Sequence, residues 1–376
     1  MAKTLQEFFY IERDIIKGEN ICCSRGVKVG FLVSKNILII RLSSIGDVIH
    51  STPVASSLKA AWPDCKITWL VGQVSAELLQ ENPDIDEIII WSREKFEKKL
   101  RKLHIKEAFE MWRELEDKLV GKEFYAVLDI HGLFLTGLIA SKVKAKQRIG
   151  MRYAKELNPL FMSETGVPLG RHITEKYLGV LLPLGVEALR HKMTLVIPQY
   201  AKSFVKGFLQ EQSILPHEKI LVLILATTWS SKNWPLNYFL ELIRMLYKDF
   251  RIILCGGKSE MELGIEIEKN TGISVLNMVG QTSLLQMAGL IEQAAVLVAG
   301  DTGPLHMAAA LGVPTVGIFG PTDPEVYAPR GKGNAALWSK LSCTYCHKKQ
   351  CPKGEAICMK YITPDMVAKK IYDVVR

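Results

Sequence analysis

The chain has 376 residues, 48% hydrophobic and 23% charged, with a formal net charge of +9. That length exceeds one ordinary core and suits two domains of about 150 to 200 residues each. Without low-complexity tracts or repeats at solenoid periods, disordered, fibrous and repeat classes are excluded.

The longest apolar runs, such as ILVLILA at 220–226, are strand-length and fall short of the roughly 18 residues a spanning helix needs. Residues 1–35 mix acids, bases and two cysteines and lack the apolar run of a signal peptide, so they read as an N-terminal extension of a cytoplasmic protein. The positive charge favours an acidic partner: nucleic acid, an anionic membrane surface or a phosphorylated substrate.

From residue 36 the pattern alternates strand and helix. NILII, KITWLVG (66–72), IDEIIIW (85–91), YAVLDI (125–130) and QRIGM (147–151) are short and almost continuously apolar, as strands covered on both faces should be. Helical stretches such as PVASSLKAAW and LFLTGLIASKVKA lie between them, which predicts a doubly wound parallel sheet over residues 36–185. Within it, residues 93–122 read as a basic amphipathic helix, with Lys95, Lys98, Lys99, Arg101, Lys102 and Lys106 among Phe96, Leu100, Leu103 and Ile105. It serves either a membrane surface or simply a solvated face.

Residues 186–218 are read as a connection. A second series then runs from 219 to 376: KILVLILAT, RIILCGG (251–257), AAVLVAGD (294–301) and PTVGIFG (314–320), each followed by a helical stretch or loop. The expected fold class is α/β, two Rossmann-like parallel-sheet domains facing across a cleft, with the catalytic parts drawn from both.

Three loops carry the candidate chemistry. RLSSIGDVIHSTP (41–53) leaves the first strand through Ser43 and Ser44, turns at Gly46 and presents Asp47, with regular helix expected from about Pro53. Asp47 is read either as a helix cap or as a carboxylate at the cleft rim. ATTWSSKNWP (226–235) supplies Thr227, Thr228 and Lys232 at a strand-to-helix turn suited to an anion, or else is an ordinary polar loop. It lacks the P-loop spacing. AGDTGPLHMAAALGVPTVGIFGPTDP (299–324) ends a strand at Asp301, and Thr302 and Gly303 open a small-residue helix with His306 one turn in.

These three motifs, with ENPDIDEIII (81–90) and DIHGLFLTG (129–137), resemble those of glycosyltransferase family 9, the ADP-heptose:lipopolysaccharide heptosyltransferases. The resemblance implies the GT-B fold, with acceptor bound by residues 36–185 and nucleotide-sugar by 219–376. It implies Asp47 as general base in an inverting transfer, with Ser43, Ser44 and Gly46 on the acceptor side. Lys232, Thr227 and Thr228 would hold the diphosphate, Asp301, Thr302, Gly303 and His306 the diphosphate and heptose, and Glu260, with Glu262 close by, the ribose. No metal would be needed for catalysis.

The expected partners are ADP-heptose and the lipopolysaccharide inner-core lipid at the inner face of the cytoplasmic membrane, where the protein would be peripheral; nucleic acid is not expected. Rival readings are a family 9 transferase with another nucleotide-sugar or acceptor, and a non-catalytic nucleotide-binding protein. The latter is disfavoured because neither first strand is followed by G-x-G-x-x-G.

Asp84 and Asp86 form a D-x-D, read as turn and capping residues rather than a metal site. Cys343, Cys346, Cys351 and Cys358 are spaced C-x2-C-x4-C-x6-C, which suggests a structural metal, with unliganded thiols or local disulfides as the alternatives.

Overall fold

The computed structural model describes residues 35–187 and 189–375; the N-terminal extension, with Cys22 and Cys23, lies outside the described residues. The first half runs β1 (Asn36–Ile40), α1 (Ile45–Ala61), β2 (Lys66–Val71), β3 (Glu87–Ile90), α2 (Arg93–Arg101), α3 (Ile105–Leu119), β4 (Glu123–Asp129), α4 (Phe134–Lys142), β5 (Lys144–Met151), β6 (Glu164–Gly166) and α5 (Ile173–Leu178). After α6 (Gln199–Glu211) come β7 (Ile220–Ile224), α7 (Leu236–Leu246), β8 (Arg251–Cys255), α8 (Met261–Thr271), β9 (Leu276–Asn277), α9 (Leu284–Glu292) and β10 (Val296–Gly300). The chain closes with α10 (Gly303–Leu311), β11 (Thr315–Phe319), α11 (Pro324–Tyr327), β12 (Asn334–Trp338), α12 (Ile357–Lys360) and α13 (Pro364–Val375).

Two six-stranded sheets result, ordered β3-β2-β1-β4-β5-β6 and β12-β11-β10-β7-β8-β9. All pairings are parallel. The expected doubly wound sheets are both present. Each reverses direction beside its first strand, between β1 and β4 and between β7 and β10, and such switch points open a crevice at the carboxyl edge.

Three local expectations change. α1 begins at Ile45, not near Pro53, and Pro53 sits inside it. A proline cannot bond the carbonyl four residues back; here the Thr52 hydroxyl donates to the Ile49 carbonyl at 2.8 Å and satisfies it. The single basic helix is broken into α2 and α3 by a turn at residues 102–104, with Leu103 at φ 58. Part of the stretch read as connection belongs to the second core, because Leu195, Ile197, Ala201, Val205 and Phe208 pack there. Asp86 accepts from Lys59 Nζ at 2.8 Å and from the Ile67 backbone N–H at 2.7 Å, the turn role expected of the D-x-D.

The halves meet where α1 and α10 begin. A Cβ at Gly303 would stand 2.6 Å from Ile45 Cγ2, and one at Gly46 would stand 2.6 Å from His306 Cδ2. Ile49 of α1 and Leu78 join the second half's core across this contact. Gly303→Ala should therefore lower stability by about 1–3 kcal/mol through overpacking. Gly207→Ala, at an exposed α6 position with nothing within 4 Å of the added carbon, should raise it by up to about 1 kcal/mol. Denaturant melts of the two variants check the contrast.

Candidate active site

Asp47 lies in the first turn of α1, above the switch point of the first sheet. Its Oδ2 is 2.7 Å from Arg41 Nη2 and accepts from Ser44 Oγ at 2.9 Å, while Oδ1 accepts from Tyr177 Oη at 2.6 Å. Burial pushes this carboxyl up, but the Arg41 guanidinium and the bonds from Tyr177 and Ser44 outweigh it and hold Asp47 far below the ordinary carboxylate range. The group is ionised and 28% exposed. Asp47 is the third residue of α1, with Ser44 as the cap; it braces the Ser44 end of the helix and lines an open cavity.

That cavity has a volume of about 910 Å³. Its wall carries Arg41, Arg93, Arg152, Lys155, Arg171 and Lys176, with Asp47 the one carboxylate among its lining residues. His131, from the loop after β4, accepts from Arg93 Nη1 at 3.0 Å. Burial, then the Arg41 and Arg93 guanidiniums, push its imidazole down to about 3. Ser43 and Ser44 line the same space, and Val326 and Tyr327 close it from the second half.

At the second switch point Lys232 and Asp301 meet. Lys232 Nζ is 2.7 Å from Asp301 Oδ2 and 4.3 Å from the Trp229 ring centroid. His306 Nε2 lies 3.3 Å from Asp301 Oδ1. Burial acts against the Asp301 carboxylate, but His306 and Lys232 hold it well below its usual range. Burial and then the Asp47 and Asp301 carboxylates push the Tyr327 phenol up, so one side chain senses both acids.

The other expected donor residues are arranged differently. Thr227 donates its hydroxyl to the Trp229 carbonyl at 2.8 Å, while its N–H donates to Asn233 Oδ1 at 2.8 Å, so it also shapes the turn of its own loop. Thr228 is exposed beside it. Thr302 precedes α10, and Gly303 is pressed on Ile45 and serves the contact between halves. Glu260 sits in the loop after β8, accepting from the Gly257 N–H and from Ser259 Oγ, and Glu262 is exposed on α8.

Cys343, Cys346, Cys351 and Cys358 share one cavity of about 230 Å³ with Ser231 on its wall. All four are free thiols, and among the described residues no group of three or more His, Cys, Asp or Glu is arranged to hold a metal ion. The segment has a visible mechanical role. The Lys348 carbonyl accepts from Ser231 Oγ at 2.6 Å and the Lys349 carbonyl from the Ser231 N–H at 3.2 Å, which braces the Lys232 loop from below.

Arg41, Tyr177, His131 and His50 went unmarked in the sequence reading, although Arg41 and His50 stand inside the first motif and His131 inside DIHGLFLTG. Tyr177 lies 130 residues from Asp47 and has no local signal.

Two doubly wound sheets with their switch points at a common crevice, one supplying a carboxylate and the other a lysine-acid pair, have the two-domain GT-B architecture. The chain belongs to glycosyltransferase family 9 (heptosyltransferase), whose family model matches residues 112–357, and it is a heptose-transferring enzyme. It is 27% identical over 358 residues to lipopolysaccharide heptosyltransferase 1 of Pseudomonas aeruginosa, covering 89% of this chain and 96% of that one. A family 9 glycosyltransferase from Veillonella parvula superposes with a TM-score of 0.77 at 22% identity, covering 91% of this chain and 97% of that one. For the E. coli heptosyltransferase WaaC with ADP the TM-score is 0.72 at 23% identity, with 90% and 99% covered.

Because Asp47 and Asp301 are held below the ordinary carboxylate range, their pairing stabilises the folded chain at neutral pH, and that stabilisation is lost as pH falls below about 4. Asp301→Asn strands the Lys232 ammonium, so the variant should be less stable at pH 7. It should also lose less stability between pH 7 and pH 3 than the parent, as read by denaturant titration at each pH.

Proposed function

We propose that this enzyme transfers heptose from ADP-heptose to the inner core of lipopolysaccharide, with inversion and without a catalytic metal. One observation carries the reading: the Asp47 carboxylate and the Lys232–Asp301 pair stand at the two switch points of one crevice. In the proposed step Asp47 takes the acceptor hydroxyl proton as that oxygen attacks the anomeric carbon, and the carbon–oxygen bond to ADP breaks on the opposite face. Asp47 is a weak base, so it accepts the proton late, once bond formation has made the hydroxyl acidic.

Lys232 meets the charge that develops on the leaving diphosphate, a contribution commonly worth about 3 kcal/mol. Asp301 holds Lys232, and His306 in turn holds Asp301. The names of the relatives agree with this donor and acceptor: the P. aeruginosa protein is called a lipopolysaccharide heptosyltransferase, and WaaC is described with ADP and with ADP-2-deoxy-2-fluoro heptose.

The cationic cavity around Asp47 supports an anionic acceptor. The α2–α3 turn supports work at a membrane surface. Residues 98–106 carry five cationic side chains and no acidic one, and Leu103 is 80% and Ile105 57% exposed. Trp91 packs on Phe96 and Trp112 at the root of this hairpin, and Arg93, also at the root, lines the acceptor cavity. In this proposal the enzyme is peripheral at the cytoplasmic face of the membrane.

Asp47→Asn should abolish transfer to truncated core acceptors, read by mass spectrometry of the product, while ADP-heptose affinity stays within about threefold of the parent. Full turnover in that variant removes Asp47 as base. Dialysis against a chelator should leave parental turnover unchanged, and elemental analysis of the same sample reads whether the four thiols carry a structural metal. In vesicle sedimentation, Leu103→Glu with Ile105→Glu should release the protein from phosphatidylglycerol vesicles, as should salt near 1 M, where the Debye length falls to about 3 Å. Equal binding to neutral vesicles would contradict the docking role.

A further inference from the structure

The two halves share a chain of hydrogen bonds at their contact. His50 on α1 is buried, and its ring stands between Thr174 of α5 and His306 of α10. His50 Nδ1 is 3.1 Å from Thr174 Oγ1, His50 Nε2 is 3.0 Å from His306 Nδ1, and His306 Nε2 is 3.3 Å from Asp301 Oδ1. Four groups from two sheets thus form one unbroken line that ends on the partner of Lys232.

The direction of that line follows from its acidic end. Asp301 is ionised and only accepts, so His306 presents an N–H at Nε2. Where that is the only proton on the ring, the lone pair lies at Nδ1 and receives the Nε2–H of His50. His50 Nδ1 is left as an acceptor, and the Thr174 hydroxyl donates to it. Burial, the largest cause, pushes the His50 imidazole down and keeps it neutral. Thr174 is itself oriented, because its backbone N–H donates to His172 Nδ1 at 3.4 Å, and His172 Nε2 donates to the Ala328 carbonyl of the second half at 3.2 Å.

We propose that His50, an acceptor-half residue, is a positioning residue for the donor site: it fixes the Nε2–H tautomer of His306, and through Asp301 fixes the aim of Lys232. The line can form only while α1 and α10 are in contact, so assembly of the diphosphate site is tied to the seating of the two halves. This rests on the reading of Lys232 as the diphosphate ligand, but the tautomers report on the relay whether or not any transfer is observed.

Long-range proton–nitrogen correlation on the full chain labelled with 15N-histidine, with His306→Gln used for assignment, reads the tautomers directly at pH 7.5. The expected result is a neutral His306 and a neutral His50, each protonated at Nε2. His50→Leu removes both ring nitrogens and should lower kcat/KM for ADP-heptose and weaken ADP binding in calorimetry, with a fall in kcat/KM of about a hundredfold, the scale of a 1 Å misplacement. His50→Gln retains an amide N–H towards His306 and a carbonyl towards Thr174, and should recover to within about tenfold of the parent. An imidazolium or an Nδ1–H tautomer at His306 overturns the inference, as does equal kcat/KM in the leucine and glutamine variants. Should the leucine variant not fold, the parental spectrum and the glutamine variant still decide.

Discussion

The close approach of two helix N-termini governs the rest of this structure. α1 and α10 each leave the switch point of their own sheet, and they meet so tightly that only hydrogen atoms fit at Gly46 and Gly303. A side chain at either position would drive His306 or Ile45 away and open the crevice. Because both helices start at a carboxyl edge, the contact aligns two ligand-binding edges and places the Asp47 loop opposite the Lys232–Asp301 loop. The N-termini of both helices meet at this contact, and the positive ends of their dipoles favour an anion there.

Each candidate group in that space is paired with an opposite charge. Asp47 is held by Arg41 and Tyr177, and Lys232 by Asp301. Ions in so enclosed a place would otherwise neutralise by shifting their pKa values; the partners keep them charged and oriented. In the proposed reaction, electrostatics preformed in this way would need little rearrangement when charge develops. The cysteine-rich segment contributes from outside the crevice, since its backbone carbonyls hold Ser231 and so the turn that carries Lys232.

The strand-to-helix turns were legible because their signals are local. Serine, glycine and aspartate after NILII, and glycine and proline after AGDT, mark the turns that place Asp47 and Asp301. Where a local rule had a non-local or side-chain answer, the reading shifted. Pro53 looked like a helix start, yet Thr52 supplies the missing bond and α1 begins eight residues earlier. The basic amphipathic pattern from residue 93 ran through a turn, because lysines and leucines favour helix on both sides of it. Thr227 has the chemistry of a phosphate ligand, and its hydroxyl also shapes its own loop.

The sequence by itself determined the class of fold, the two series of strands, and the acids and lysine that line the carboxyl edges, since apolar periodicity and turn chemistry act over a few residues. Tertiary structure alone decided who pairs with whom. Tyr177 reaches Asp47 across 130 positions and His50 reaches His306 across 256, and nothing in either neighbourhood announces the other. Hydrogen-bond direction, ionisation and the tightness of a glycine contact belong to packed groups, and packing exists only once both sheets have formed.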